Sequence, residues 1–226
     1  RVEIPKKVAK PAQPRPQNNR QRRGGNNRRS AGNRGNSRPR QQKSRRPTPL
    51  DDEVWARVIE NDAKTNVIVA LGEGKMMLGR YAAKNPAITV GERIYVGVDA
   101  DKRTAVGEIL GMAKLDRLSN SAISDLPLVT QMFVEENQVH FIKSFFNIAG
   151  PLSLKQHAFE LLPGVGKKKA LQMVELRGSN GFTSLEQLND ACSIDSAELL
   201  AKRFVAEIED KNLQPRLTEL LLPVSA

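Results

Sequence analysis

The chain has 226 residues, one cysteine and a formal net charge of +11, with a sequence pI near 10.0. That length allows one long flexible segment and two small domains, and the positive surplus asks for a polyanionic partner, either nucleic acid or an anionic membrane surface. A lone Cys192 excludes an intrachain disulfide framework, and no run approaches the roughly eighteen apolar residues of a membrane span.

The charge is concentrated in residues 1–50. They hold 12 Arg and 4 Lys against one acid, Glu3, so the arm is +15 and the other 176 residues carry −4. The arm has no aromatic residue and few aliphatics. Its densest stretch, RQRRGGNNRR, contains Arg20, Arg22, Arg23, Arg28 and Arg29. Such a segment cannot bury enough apolar surface to offset the entropy of ordering, and it is expected to be disordered alone. Guanidinium forks pair with phosphates and their planes stack on bases, which makes these five arginines candidate nucleic-acid contacts. The competing reading is a solubilising tail, but such a tail need not be nearly acid-free or prefer Arg to Lys. The first residues carry no apolar run of the secretory kind, so a reducing, cytoplasmic location is expected.

Residues 51–118 read as a small β-domain. Five short runs, Val54–Glu60, Asn66–Leu71, Lys75–Tyr81, Glu92–Val98 and Arg103–Leu110, are separated by Gly, Asn and Asp turn signals. Five such strands suggest an OB-like barrel. Alternation turns Ile94, Val96 and Val98 inward and Arg93 and Tyr95 outward. An outward Tyr beside an outward Arg can stack a base and hold its phosphate, although an ordinary exposed strand face has the same pattern. Trp55 is assigned to the core. Neither Asp51-Asp52-Glu53 nor Asp99 with Asp101 has the spacing of a divalent-metal loop, so solvated turn residues are expected and no metal or cofactor.

Residues 119–150 form a helical connector. Ser124-Asp125-Leu126-Pro127 is a start signal with Pro127 in the first turn. Leu128, Met132 and Phe133, then Val139, Ile142, Phe145 and Phe146, are expected as core stripes. His140 is read as a surface or packed histidine.

The strongest motif lies in residues 151–226. Leu154–Leu161 is helix-compatible, with Ser153 as cap. Leu162-Pro163-Gly164-Val165-Gly166 follows, then Lys167, Lys168 and Lys169. Helical spacing of Ala170, Leu171 and Val174 predicts a second helix over Lys167–Arg177. Pro163 stops the first helix, Val165 plugs between the two, and the glycines admit a ligand backbone. Uncapped amides and the positive dipole end of the second helix then make a phosphate seat, with the lysines adding charge. The bland alternative is a hairpin that only packs helices. Further on, Thr183 with Glu186 reads as a capping box for a short helix through Leu188, and Asp195 with Glu198 as another start. Leu200, Phe204 and Ile208 line the face of that last helix. This second hairpin lacks glycines and lysines, so it is given a packing role, with Cys192 as a small buried hydrophobe.

The five residues 162–166 match the hydrophobic-Pro-Gly-hydrophobic-Gly core of the helix-hairpin-helix motif, whose amides bind phosphates without reading sequence. The arm, barrel, connector and Leu-Pro-Gly-Val-Gly-Lys-Lys-Lys hairpin together resemble an archaeal family, domain of unknown function 655, regarded as nucleic-acid binding. The resemblance covers roughly residues 51–212 and is most specific around 159–210. It implies an archaeal, cytoplasmic protein and supplies no activity.

The expected fold is therefore α+β: an OB-like barrel, then a tandem helix-hairpin-helix domain, behind a basic arm. Two histidines, one cysteine, no nucleophile elbow and no Walker loop leave no recognisable catalytic set. The sequence favours a non-catalytic RNA binder, on a ribosome or another ribonucleoprotein. A DNA-binding accessory of repair or replication and a metal-dependent nuclease remain as alternatives.

Overall fold

The computed structural model describes residues 47–224. The expected disorder of the arm therefore lies outside the described residues. The folded part already includes Leu50, which is buried in a 3-10 turn at Pro49–Asp52.

Five strands and six α-helices follow. β1 (Trp55–Asp62), β2 (Val67–Gly72), β3 (Leu78–Ala83), β4 (Arg93–Tyr95) and β5 (Val106–Met112) make one sheet in the order β4-β1-β2-β3-β5. Every neighbouring pair is antiparallel, and the sheet curls into a half-barrel with β4 and β5 on opposite edges. The alternating runs produce the five strands because one face, with Ala56, Val58, Ile68, Ala70, Tyr81, Ile94 and Val106, packs on itself. Ile59, at a bulge between Val58 and Glu60, lies on the other face, where it joins Leu71 and Leu78 against the helices.

The strands differ in detail from the sequence reading, and β5 runs over Val106–Met112 rather than the expected Arg103–Leu110. The third strand starts at Leu78, later than expected, because Glu53 takes the preceding turn: its carboxylate accepts from Gly74 N at 2.7 Å and Lys75 N at 2.8 Å. Glu53 is buried, not a solvated turn residue, and burial pushes its carboxyl up while the two amides pull it back. A Cβ on Gly72 or Gly74 would strike that carboxyl. The fourth strand stops at Tyr95, because Val96 N and Gly97 N share one carbonyl, that of Val54. Val98 is consequently 84% exposed and does not point inward.

The helices are α1 (Asn120–Glu136), α2 (Gln138–Phe141), α3 (Lys167–Arg177), α4 (Leu185–Cys192), α5 (Ser196–Glu209) and α6 (Leu217–Leu221). α1 begins a turn before the expected start, since the Ser119 hydroxyl caps Ala122 N at 3.1 Å. Pro127 thus sits inside the helix, not in its first turn. The buried stripe is Leu126, Val129 and Phe133, while Leu128 and Met132 face outward. α2 continues into a π-helical turn at Ile142–Phe146; Ile142, Phe145 and Phe146 are buried there, as expected, but Val139 is exposed. Phe141, Phe145, Phe146, Phe159 and Phe204 form the aromatic centre of the helical core.

No α-helix forms over Leu154–Leu161. Leu152 N and Ser153 N bond to Gln156 O, and Pro151 bridges to His157, so the backbone groups a helix would use are already engaged. What remains is one 3-10 turn, Ala158–Leu161. Its cap is His157, not Ser153: Nδ1 accepts from Phe159 N at 3.1 Å. α4 is capped by Ser184, one residue after the expected Thr183, and runs on to a buried Cys192. Thr183 is instead held by the Gln187 carboxamide. Asp195 caps α5 through Glu198 N at 2.9 Å, as its spacing predicts.

Candidate nucleic-acid interface

The turn at Leu162–Val165 is set by three residues. Leu162 is anchored in the core, Pro163 fixes its own φ, and Gly164 takes φ +81°, a region closed to most side chains. Val165 N then donates to Leu162 O at 3.1 Å, and the Val165 side chain plugs into the helical core. Gly166 caps α3 without a side chain, and the first helical bond is Ala170 N to Gly166 O at 2.9 Å. Among the described residues, the amides of Gly166, Lys167, Lys168 and Lys169 meet no protein acceptor. A Cβ on Gly164 or Gly166 would meet nothing within 4 Å, so the approach to those amides is open.

The three lysines divide. Lys167 and Lys168 are exposed beside the free amides. Lys169 is half-buried and turns back: its Nζ donates to the Cys192 carbonyl and, at 3.3 Å, to Gln172 Oε1. It ties the hairpin to the C-terminal end of α4. Arg177, at the far end of α3, donates to Ala149 O at 2.7 Å and lies 5.7 Å from the Phe159 ring, which fixes the helix's direction. Across a shallow cleft of about 380 Å³ stands the second turn, with Ser193 in a left-handed conformation and Asp195 beside it. It presents a carboxylate where the first turn presents amides.

The half-barrel carries a second cluster. Arg93 and Tyr95 lie on the outer side of edge strand β4, with Ile94 inward, as alternation predicts. Trp55 is not in the core. It is 39% exposed, because its partner across the β1–β4 ladder is Tyr95, on the outer face. The two rings meet edge-on at 5.3 Å, and the Arg93 guanidinium lies 4.5 Å from the Trp55 centroid. Glu73 holds Arg93 at 2.8 Å and also holds Arg57 at 2.9 Å. Arg57 is only 2% exposed, lies 5.9 Å from the Phe133 ring and pairs with both carboxylate oxygens of Glu136 at the end of α1. Burial opposes the Arg57 charge, but its bonds to Glu136 and Glu73 win and its pKa is raised. The Arg57 hydrogen bond in turn holds the Glu136 carboxyl low.

These two sites stand on a fold that comparison with known proteins places in a family. The description "Protein of unknown function (DUF655)" matches residues 58–217. The chain belongs to the DUF655 family. It is similar to the uncharacterized protein MJ0038 of Methanocaldococcus jannaschii, 30% identical over 145 residues, 64% of this chain and 65% of that protein. The chain thus spans just under two thirds of that relative. It also resembles the crystal structure of Af1531 from Archaeoglobus fulgidus, a DUF655 structure, with a TM-score of 0.66 and 23% identity over 74% of this chain and 99% of that one. That likeness supports the fold alone.

Within this DUF655 chain, the hairpin exposes Gly164, Gly166, Lys167 and Lys168 together while Leu162 and Val165 are buried beneath them, and Arg93 and Tyr95 stand on edge strand β4. Arg20, Arg22, Arg23, Arg28 and Arg29 lie outside the described residues. No group of three His, Cys, Asp or Glu suited to a metal ion occurs among the described residues, and no helix there is long and apolar enough to cross a membrane. Sequence reasoning missed the Glu73–Arg57–Glu136 chain and the exposure of Trp55. The alternation around Ala56-Arg57-Val58 places Arg57 opposite the barrel interior; nothing local says that α1 covers that face.

Proposed function

We propose that this DUF655 protein is a non-catalytic nucleic-acid-binding protein, acting mainly on RNA and gripping phosphates without reading sequence. The observation that carries this reading is the start of α3: four unpartnered amides and two exposed lysines behind a turn whose front is open. On this reading residues 158–177 work as a helix-hairpin-helix seat, with its first helix shortened to one 3-10 turn. Gly164 and Gly166 admit the phosphate, Leu162 and Val165 hold the turn from beneath, and Lys167 and Lys168 supply charge. Lys169 supports the turn through α4. Arg93 and Tyr95 give the half-barrel an OB-like contact, and the arm arginines add sequence-independent attraction.

Support for the absence of catalysis comes from how the candidate groups are used. His157 Nδ1 is taken by Phe159 N, His140 Nε2 lies 2.7 Å from the Leu221 carbonyl, and the Cys192 thiol is buried and pushed up by that burial. The preference for RNA rests on the Arg-, Asn- and Gly-rich arm, a composition suited to irregular grooves and unpaired bases. Such a binder belongs in the cytoplasm on a ribonucleoprotein such as the ribosome. Crosslinking in cells, followed by sequencing of the attached nucleic acid, tests this. Recovery of RNA with no shared sequence motif is the expected result, and recovery of DNA alone would overturn the RNA assignment.

A further inference from the structure

We infer that Trp55, framed by Tyr95 and Arg93, is a stacking seat for one unpaired nucleobase, so that the half-barrel takes single-stranded and not duplex RNA. The inference rests on the nucleic-acid reading above and assigns a residue and a substrate class to it. A tryptophan in a small β-domain ordinarily gains most by burial. Here the indole stays 39% exposed and is nevertheless held in place. Tyr95 meets it edge-on, and Arg93 lies against its ring. Arg93 is itself pinned by Glu73, and Glu73 by the buried Arg57 that runs back to α1. The side chains around the indole therefore lose little freedom when a ligand arrives.

The surroundings specify the occupant. Val54, the neighbour of Trp55 in sequence, is also exposed. Arg93 supplies positive charge over one face of the ring, and the whole chain is +11, which suits a polyanion carrying flat apolar faces. Duplex RNA buries its base faces in its own stack and offers none to an indole.

Trp55 is the only tryptophan, so its emission reports on this site alone. The full chain is titrated with a labelled oligouridylate of about a dozen nucleotides and with an oligoadenylate–oligouridylate duplex of equal length, following emission and label anisotropy together. Saturable quenching by the single strand, and none by the duplex, is expected. Trp55→Ala should weaken single-strand binding by roughly 5- to 100-fold and leave duplex binding within about twofold, whereas Trp55→Phe, which keeps a stacking face, should retain most of the affinity. Circular dichroism checks the fold of both variants; should the alanine variant unfold, quenching of the unaltered chain and the phenylalanine variant still decide. Single-strand binding with unchanged Trp55 emission would overturn the seat while leaving the nucleic-acid reading intact. Absence of binding to either RNA would overturn both.

Discussion

Arg57 shows how one side chain joins two parts of the fold. Its guanidinium is buried between Glu73 on the sheet side and Glu136 at the end of α1, so removing it takes from the buried Glu73 one of its two cationic partners and breaks the link to α1. Arg57→Met should destabilise the protein by about 3 kcal/mol, read by urea unfolding; Arg93 remains beside Glu73 and keeps the loss near the low end for a broken buried pair. A loss under about 1 kcal/mol would show that the pair is not holding the sheet to α1. His157 carries a pH dependence. Burial, with Arg177 nearby, lowers its pKa below the ordinary 6.5, while Glu160 opposes this. The folded state therefore binds its proton less readily than the unfolded state. The contribution is fully present above pH 6.5 and declines as pH falls from there towards the folded pKa. Protonation also removes the Nδ1 acceptor that caps the turn before the hairpin. Unfolding midpoints measured between neutral and mildly acidic pH should fall in the native protein, and the fall should shrink in His157→Asn, which keeps a capping group without a titrating one.

At the scale of elements, the hairpin was legible and its preceding helix was not. Pro163 and Gly164 each state a backbone requirement, and Lys167–Arg177 is helical over the expected span. Leu154–Leu161 has helical composition, but tertiary pairing of Pro151 with His157 overrides it. The five strands were visible from alternation. Their ends were not, because Glu53, 21 residues from Gly74, determines where β3 starts. Trp55 was misplaced for a similar reason: its facing depends on pairing with Tyr95 across the ladder, which no local pattern records. The two glycines of the turn can be separated by experiment. Gly164→Val should cost about 1–2 kcal/mol of stability, since φ is +81° there. Gly166→Ala, at φ −88° with open space ahead, should cost less than about 1 kcal/mol in thermal melting. It should still weaken RNA binding, and equally for RNAs of unrelated sequence, because its methyl stands where a phosphate would approach. A change in sequence preference would count against the phosphate seat.

At the scale of the whole chain, charge is divided between an arm of +15 and a remainder of −4. The folded part alone would repel a polyanion at long range, so the open start of α3 acts only once a strand is close. The arm's sixteen cations all lie within residues 1–46, while Leu50 belongs to the folded core. Deleting residues 1–46 should lower RNA affinity and flatten its salt dependence by about 0.7 to 0.9 for each phosphate that the arm no longer neutralises. The central claim concerns cations and backbone amides meeting phosphate oxygens, and one measurement reaches it directly. RNA affinity of the full chain is followed from low to moderate salt for several unrelated sequences. The account predicts steep log–log lines of one common slope. A flat line, or no binding to RNA or DNA at the lowest salt, would contradict it.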